Sequence, residues 1–135
     1  MPASVPSSGP GARLLRRVGQ IAIVVHDVAR AVRFYRDTLG LALLFEAPPG
    51  LAFFDCGGQR LMLTLPEGPA EGRGTSILYY VVEDIQAATA ALTARGVQFL
   101  SQPGVVARLP DHDLWMAACR DSEGNLLELM SEVRR

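Results

Sequence analysis

Cysteine is scarce in this sequence: among 135 residues only Cys56 and Cys119 occur, far apart and with no histidine or second cysteine at a metal-knuckle spacing. A disulfide framework and a zinc knuckle are both excluded. A surplus of either charge is lacking too. With 13 Lys+Arg against 14 Asp+Glu the net charge is −1, so no nucleic-acid partner is expected, because phosphate binding needs a basic face. The one basic cluster, Arg13 to Arg17 with Leu14 and Leu15 inside it, is too short to supply that face. No apolar run reaches the roughly 18 residues of a membrane helix, so no membrane partner is expected. Residues 1–12, rich in Pro, Ser and Gly, lack the apolar stretch of a secretory signal. These absences point to a reduced, cytoplasmic protein.

What is present is enough for one globular domain. Hydrophobic residues make up 49% and charged residues 20%, and a chain near this length buries ~70% of its extended surface on folding. After a lead-in over 1–12, Val18–Val25 reads as a β-branched strand and Asp27 as the N-cap of a helix. Val28, Ala31, Val32, Tyr35 and Leu39 form that helix's apolar stripe, and Gly40 ends it. Leu41–Phe45, Leu51–Cys56 and Arg60–Leu65 read as strands parted by the Pro48-Pro49-Gly50 and Gly57-Gly58 turns. The same grammar then restarts. Ser76–Val82 is a strand, Asp84 caps a helix with Ile85, Ala88 and Leu92 inward, and Gly96 ends it. Val97–Leu100 is expected as the next strand, and Leu114–Arg120 with Asn125–Ser131 as a hairpin about Asp121–Gly124.

Asp84 follows Asp27 by 57 residues and Gly96 follows Gly40 by 56. A repeat of that period predicts two βαβββ modules, 16–67 and 75–132, joined by a linker over 68–74 into one domain. The fold class is α+β: a cupped, partly open mixed sheet with helices on its outer face. Strand alternation places Gln20, Ala22 and Val24 opposite to Ile21, Ile23 and Val25, which lie beneath the helix. In the second module Ile77, Tyr79 and Val81 form the set equivalent to the first three. The two inner faces enclose a cleft suited to a small organic ligand.

The stretch Gly19-Gln20-Ile21-Ala22-Ile23-Val24-Val25-His26-Asp27, with Phe34-Tyr35-Arg36-Asp37-Thr38-Leu39-Gly40-Leu41, resembles the opening module of the vicinal oxygen chelate superfamily. Asp121-Ser122-Glu123-Gly124-Asn125-Leu126-Leu127-Glu128-Leu129 is similar to its closing hairpin. That superfamily holds glyoxalase I, fosfomycin- and bleomycin-resistance proteins, methylmalonyl-CoA epimerase and extradiol ring-cleaving dioxygenases, so the resemblance implies a scaffold rather than one reaction. It also implies a ligand set taken from the first and last strand of each module, which falls here on Gln20, Met62, Ile77 and Glu128, with Thr64 the alternative to Met62. Gln20 and Glu128 can bind a metal. Ile77 has no lone pair, and the Met62 thioether does not suit a hard divalent ion. The expectation is no cofactor, or at most a weakly bound Ni, Zn, Mn or Fe.

Two residues are candidates for catalysis. Glu128 could move a proton alpha to a carbonyl, or simply accept hydrogen bonds from Gln20 or Arg60 across the cup. His112, between Asp111 and Asp113, could act as a general base or complete a metal site, or could sit in a solvated loop whose acids make turns. His26 reads as a junction residue. Arg60 is a candidate for an anionic ligand group, and Met62, Ile77, Tyr79 and Trp115 for substrate contact. Cys56 and Cys119 read as inert thiols. Three readings stand at this level. One is a glyoxalase/bleomycin-resistance/dioxygenase-like protein that binds a small organic molecule over a degenerate metal site. The others are a metal-dependent lyase or isomerase of glyoxalase I type, and a non-catalytic binder of an antibiotic or metabolite. A homodimer is expected, with the cleft formed within one chain or between two.

Overall fold

A computed structural model describes residues 14, 17–66 and 76–135; the lead-in over 1–12 and the linker over 68–74 lie outside the described residues. The first module runs β1 (Gln20–Val24), α1 (Val28–Arg33) extended by a π-helical turn (Phe34–Thr38), β2 (Ala42–Ala47), β3 (Leu51–Cys56) and β4 (Gln59–Thr64). The second runs β5 (Leu78–Val81), α2 (Ile85–Ala94), β6 (Gly104–Arg108), β7 (His112–Arg120) and β8 (Leu126–Arg134). Each module makes a four-stranded mixed sheet, in the orders β1-β4-β3-β2 and β5-β8-β7-β6. The first strand of each pairs in parallel with the last, which a helical crossover permits, and the other pairs are antiparallel. The architecture is the expected α+β doubling of a βαβββ unit.

Matching signals start and stop the two helices. Asp27 accepts from the Arg30 amide at 3.0 Å and Asp84 from the Ala87 amide at 3.1 Å, each filling an orphan donor of the first turn. Gly40 at φ +80 and Gly96 at φ +96 then leave the helix through left-handed backbone. Beneath α1 lie Ile23, Val25, Ala52, Phe54, Leu61 and Leu63 with Tyr35. Beneath α2 lie Ala117, Cys119, Leu127 and Leu129 with Leu92. Side chains such as Phe54 and Leu61, sealed from water, each contribute roughly 1.5–3 kcal/mol by burial. Tyr80, Phe34 and Leu39 pack against both clusters and join them.

The strand expected over Val97–Leu100 is not there. Val97 is buried at the foot of α2, its amide donating to Leu92 O at 3.0 Å, and Phe99 makes only an isolated bridge to Cys119. The edge strand is instead β6, seven residues beyond Val97. Pro103, which has no amide to give a ladder, ends the intervening stretch, and the β-branched Val105 and Val106 follow. Both edge strands carry a bulge, between Leu43 and Phe45 and between Val105 and Ala107, so the repeat extends to this irregularity.

Candidate functional site

The open face of the first sheet is set by strand register. Gln20 lies opposite Arg60 and Ala22 opposite Met62 across β1 and β4. Phe53 lies opposite Met62 across β3, and Phe45 opposite Phe53 across β2. The outcome is a row Ala22, Met62, Phe53, Phe45 beside a row Gln20, Arg60, Asp55. The Gln20 amide nitrogen lies 3.7 Å from Met62 Sδ. The Phe45 and Phe53 rings stack at 4.5 Å with 24° between planes, and the Arg60 guanidinium sits 5.7 Å from the Phe53 centroid. Arg60 is exposed and Phe45 is 50% exposed, so this aromatic and cationic platform meets solvent. Arg60, Met62 and Gln20 were expected from the sequence. Phe45 was missed, because the bulge at Leu44 returns it to the face that simple alternation from Leu43 assigns to its neighbour, whereas Phe53 was legible from regular alternation with the buried Phe54.

On the second sheet Glu128 lies between Tyr79 of β5 and Ala118 of β7, followed along the same face by Met130 and Met116. Tyr79 is 48% exposed and Ile77, just before β5, is partly exposed. His112 shares this face but stands six residues along β7 from Ala118, about 20 Å from the level of Glu128 at strand rise. The two candidate catalytic groups therefore cannot act on one bond. His112 Nδ1 lies 2.7 Å from Asp111, its Nε2 is buried without a hydrogen-bond partner, and Glu132 is 3.7 Å away. The bond from His112 holds the Asp111 carboxyl below its usual range. Asp113 pairs with Arg108 at 2.8 Å and with Arg135. The acidic cluster is thus largely an ion network at the sheet end. Trp115 also stands apart. It lies opposite Ser131 and packs on the second core, on the helix side, so contact with a ligand on the open face is closed to it.

A groove of about 350 Å³ separates the edge of β1 from the starts of β5 and β8, lined by Ala22, Val24, Ile77 and Leu126 among others. Asn125 bridges it, donating from Nδ2 to Val24 O at 3.0 Å. Around Asn125 the β7–β8 turn clamps the two modules. Asp121 is buried and accepts from Tyr35 Oη at 2.7 Å and from the amides of Glu123 and Asn125 at 2.8 Å. Glu123, with a fully covered side chain, accepts from the amides of His26 and Asp27 at 2.9 and 3.0 Å and from Arg30 at 2.7 and 3.0 Å. Arg30 above all, offset by desolvation and aided by the amides and Ser122, brings the Glu123 carboxyl down to about 2. His26 joins the clamp through its backbone and is the junction residue expected.

The donor set does not fit a divalent centre. Met62 offers only a thioether, which lies 3.7 Å from the Gln20 amide nitrogen. Ile77 brings no donor atom and a thioether does not suit a hard divalent ion, which leaves Gln20 and Glu128 as the hard donors of the set.

Comparison with known proteins agrees with the fold. A family model of the Glyoxalase/Bleomycin resistance protein/Dioxygenase superfamily matches residues 17–129. The uncharacterized protein YraH of Bacillus subtilis (strain 168) is 30% identical over 126 residues, covering 82% of this chain and 94% of that protein. A superfamily member from Sphaerobacter thermophilus DSM 20745 aligns with a TM-score of 0.71 at 27% identity, over 88% of this chain and 99% of that one. The antibiotic-binding protein TnmS3 of Streptomyces sp. CB03234 aligns at 0.67 and 24% identity, over 88% and 98%. A lactoylglutathione lyase from Agrobacterium tumefaciens aligns at 0.69 and 22%, over 88% and 96%.

Proposed function

From the premise that this chain belongs to the Glyoxalase/Bleomycin resistance protein/Dioxygenase superfamily, we propose that it binds a small, flat organic anion on its open faces and holds no tight catalytic metal. The fold alone separates neither binder from lyase, since it serves both an antibiotic-binding protein and a lactoylglutathione lyase. The observation that carries the reading is the Phe45–Phe53 stack with Arg60 beside it. A conjugated ring extends the stack and its acidic substituent meets the guanidinium, the geometry that Arg uses best. Gln20 supplies an amide next to that ring, and Met62 a polarizable floor. Glu128 and Tyr79 belong to the other module's open face. We propose that they reach the ligand from a second copy of the chain, so that the cup closes between protomers. Glu128 then accepts a hydrogen bond from the ligand or takes its proton.

Calorimetric titration with naphthoate, against cyclohexanecarboxylate as the non-planar control, tests the platform. Naphthoate is expected to bind tighter, and Arg60→Gln or Phe53→Leu to weaken it by about tenfold. Equal binding of the two acids overturns the reading. Metal content of the untagged, dialysed protein by plasma mass spectrometry tests the second half. Near-stoichiometric Ni, Zn, Mn or Fe, released by Glu128→Ala, would return the protein to the metal-dependent lyases and isomerases.

A further inference from the structure

The repeat is unequal at one place, and the inequality leaves a hollow. Laying Asp27 on Asp84 sets Arg30 on Ala87, Phe34 on Ala91, Tyr35 on Leu92 and Thr38 on Arg95. In the first module two of those side chains grip the other module's hairpin turn, Tyr35 through Asp121 and Arg30 through Glu123. In the second, α2 brings Ala91 and Leu92 to the seam instead, opposite Cys56, which offers no acid to grip. What opens there is a hollow of about 310 Å³ with walls from Leu39, Leu41, Val82, Ala88 and Leu129, at the lower end of ligand-site sizes. Two polar groups border it. Tyr80 lines this hollow and the groove beside β1 alike, and its hydroxyl is buried with no hydrogen-bond partner, a state that costs free energy unless something arrives to accept the proton. Burial, and the nearby Cys56 that lines the same hollow, push that hydroxyl's pKa up, so it remains a donor at neutral pH. Arg95 lies at the exposed end of α2, where Nη1 donates to Thr38 O at 2.8 Å, and no carboxylate among the described residues pairs with it.

We propose that this hollow is a second ligand site, distinct from the open faces, for a small oxo acid: an apolar body with a carbonyl that accepts from Tyr80 Oη and a carboxylate that pairs with Arg95. The apolar walls exclude water from the body, the lone buried donor selects an acceptor, and the cation at the mouth selects the charge. It lies on the helix side of the second sheet, across from Glu128, so it stands or falls apart from the open-face reading.

The test compares β-benzoylpropionate with phenylbutyrate, which lacks the ketone, and with the methyl ester of the former, which lacks the charge. Calorimetry on the full chain is expected to rank the oxo acid about tenfold above either analogue. Tyr80→Phe should erase the preference for the ketone while leaving the unliganded protein at least as stable, because it removes an unsatisfied hydroxyl. Arg95→Gln should erase the preference for the acid over the ester. Ala91→Phe, a change at an exposed position on the rim, should block all three ligands. Amide shifts in NMR titrations should cluster on α2, β5 and the Cys56–Gly58 turn. Saturable binding that ignores Ala91→Phe, shifts confined to Phe45, Phe53 and Tyr79, or no preference for the ketone in the parent protein would each overturn the proposal.

Discussion

At the scale of single residues the most consequential group is Glu123, which the sequence presents only as one member of a polar turn. Its carboxylate is sealed from water between two backbone amides and Arg30, so ionisation is favoured in the folded chain and the pKa falls to about 2. A carboxyl lowered by folding stabilises the protein above its unfolded pKa of about 4.3, and that contribution is lost as pH falls toward the folded value. The contribution is on the order of 2 kcal/mol, discounted because Arg30 is half exposed and part of its pull is screened. Urea midpoints measured from pH 6 down to pH 2 are expected to decline through this window in the parent protein, and to start lower and decline less in Glu123→Gln. Parallel curves would remove Glu123 from the account. Its neighbour Asp121 gives a companion measured at a single pH. Tyr35→Phe removes one donor, at 2.7 Å, from the buried Asp121, which keeps those of Glu123 and Asn125, and should cost about 1 kcal/mol by the same measurement at pH 7.

At the scale of elements, the sequence made the repeated part of the fold legible, and it failed where the two copies differ. The caps at Asp27 and Asp84 and the left-handed stops at Gly40 and Gly96 are local chemistry and could be read directly. The edge strand β6 could not, because Val97 and Phe99 carry strand-forming side chains that tertiary burial against Leu92 and Cys119 uses differently. Phe45 was hidden by a bulge, which changes the facing of every later residue in its strand. Trp115 was legible in principle. It alternates with the small apolar Ala117 and Cys119, a pattern that assigns it to the core. The clamp and the seam hollow were not legible, since each joins residues whose nearness depends on how the modules pack. The stop at Gly96 yields a prediction of its own. A Cβ there meets nothing within 4 Å, yet φ is +96, so Gly96→Ala should cost about 1–2 kcal/mol from backbone strain alone. Gly19→Ala, which has equal room and no left-handed backbone, should stay within about 0.5 kcal/mol. Equal losses in denaturant unfolding would move the cost from conformation to packing.

At the scale of the whole molecule, the distribution of apolar surface argues for a second copy. Each sheet buries its helix side, and the two helix sides share Tyr80, Phe34 and Leu39. The opposite faces keep Phe45, Ile77, Tyr79 and Val81 in contact with water, Val81 at 77% exposure. Groups of this kind on both sheets form a surface that an isolated globular chain seldom leaves uncovered. Pairing the first sheet of one protomer with the second sheet of its partner would cover both faces at once. It would also bring the Arg60 and Phe53 platform against Tyr79 and Glu128, a match that no contact among the described residues provides within the single chain. By two-fold symmetry it would do so twice. Light scattering coupled to size exclusion is expected to give twice the 14.5 kDa of one chain. Val81→Lys, at a position that contributes little to the fold, should halve that mass with the circular dichroism unchanged, and should weaken naphthoate binding in the same samples. A monomeric parent that binds naphthoate with full affinity would place the whole ligand site within one chain and remove Tyr79 and Glu128 from it.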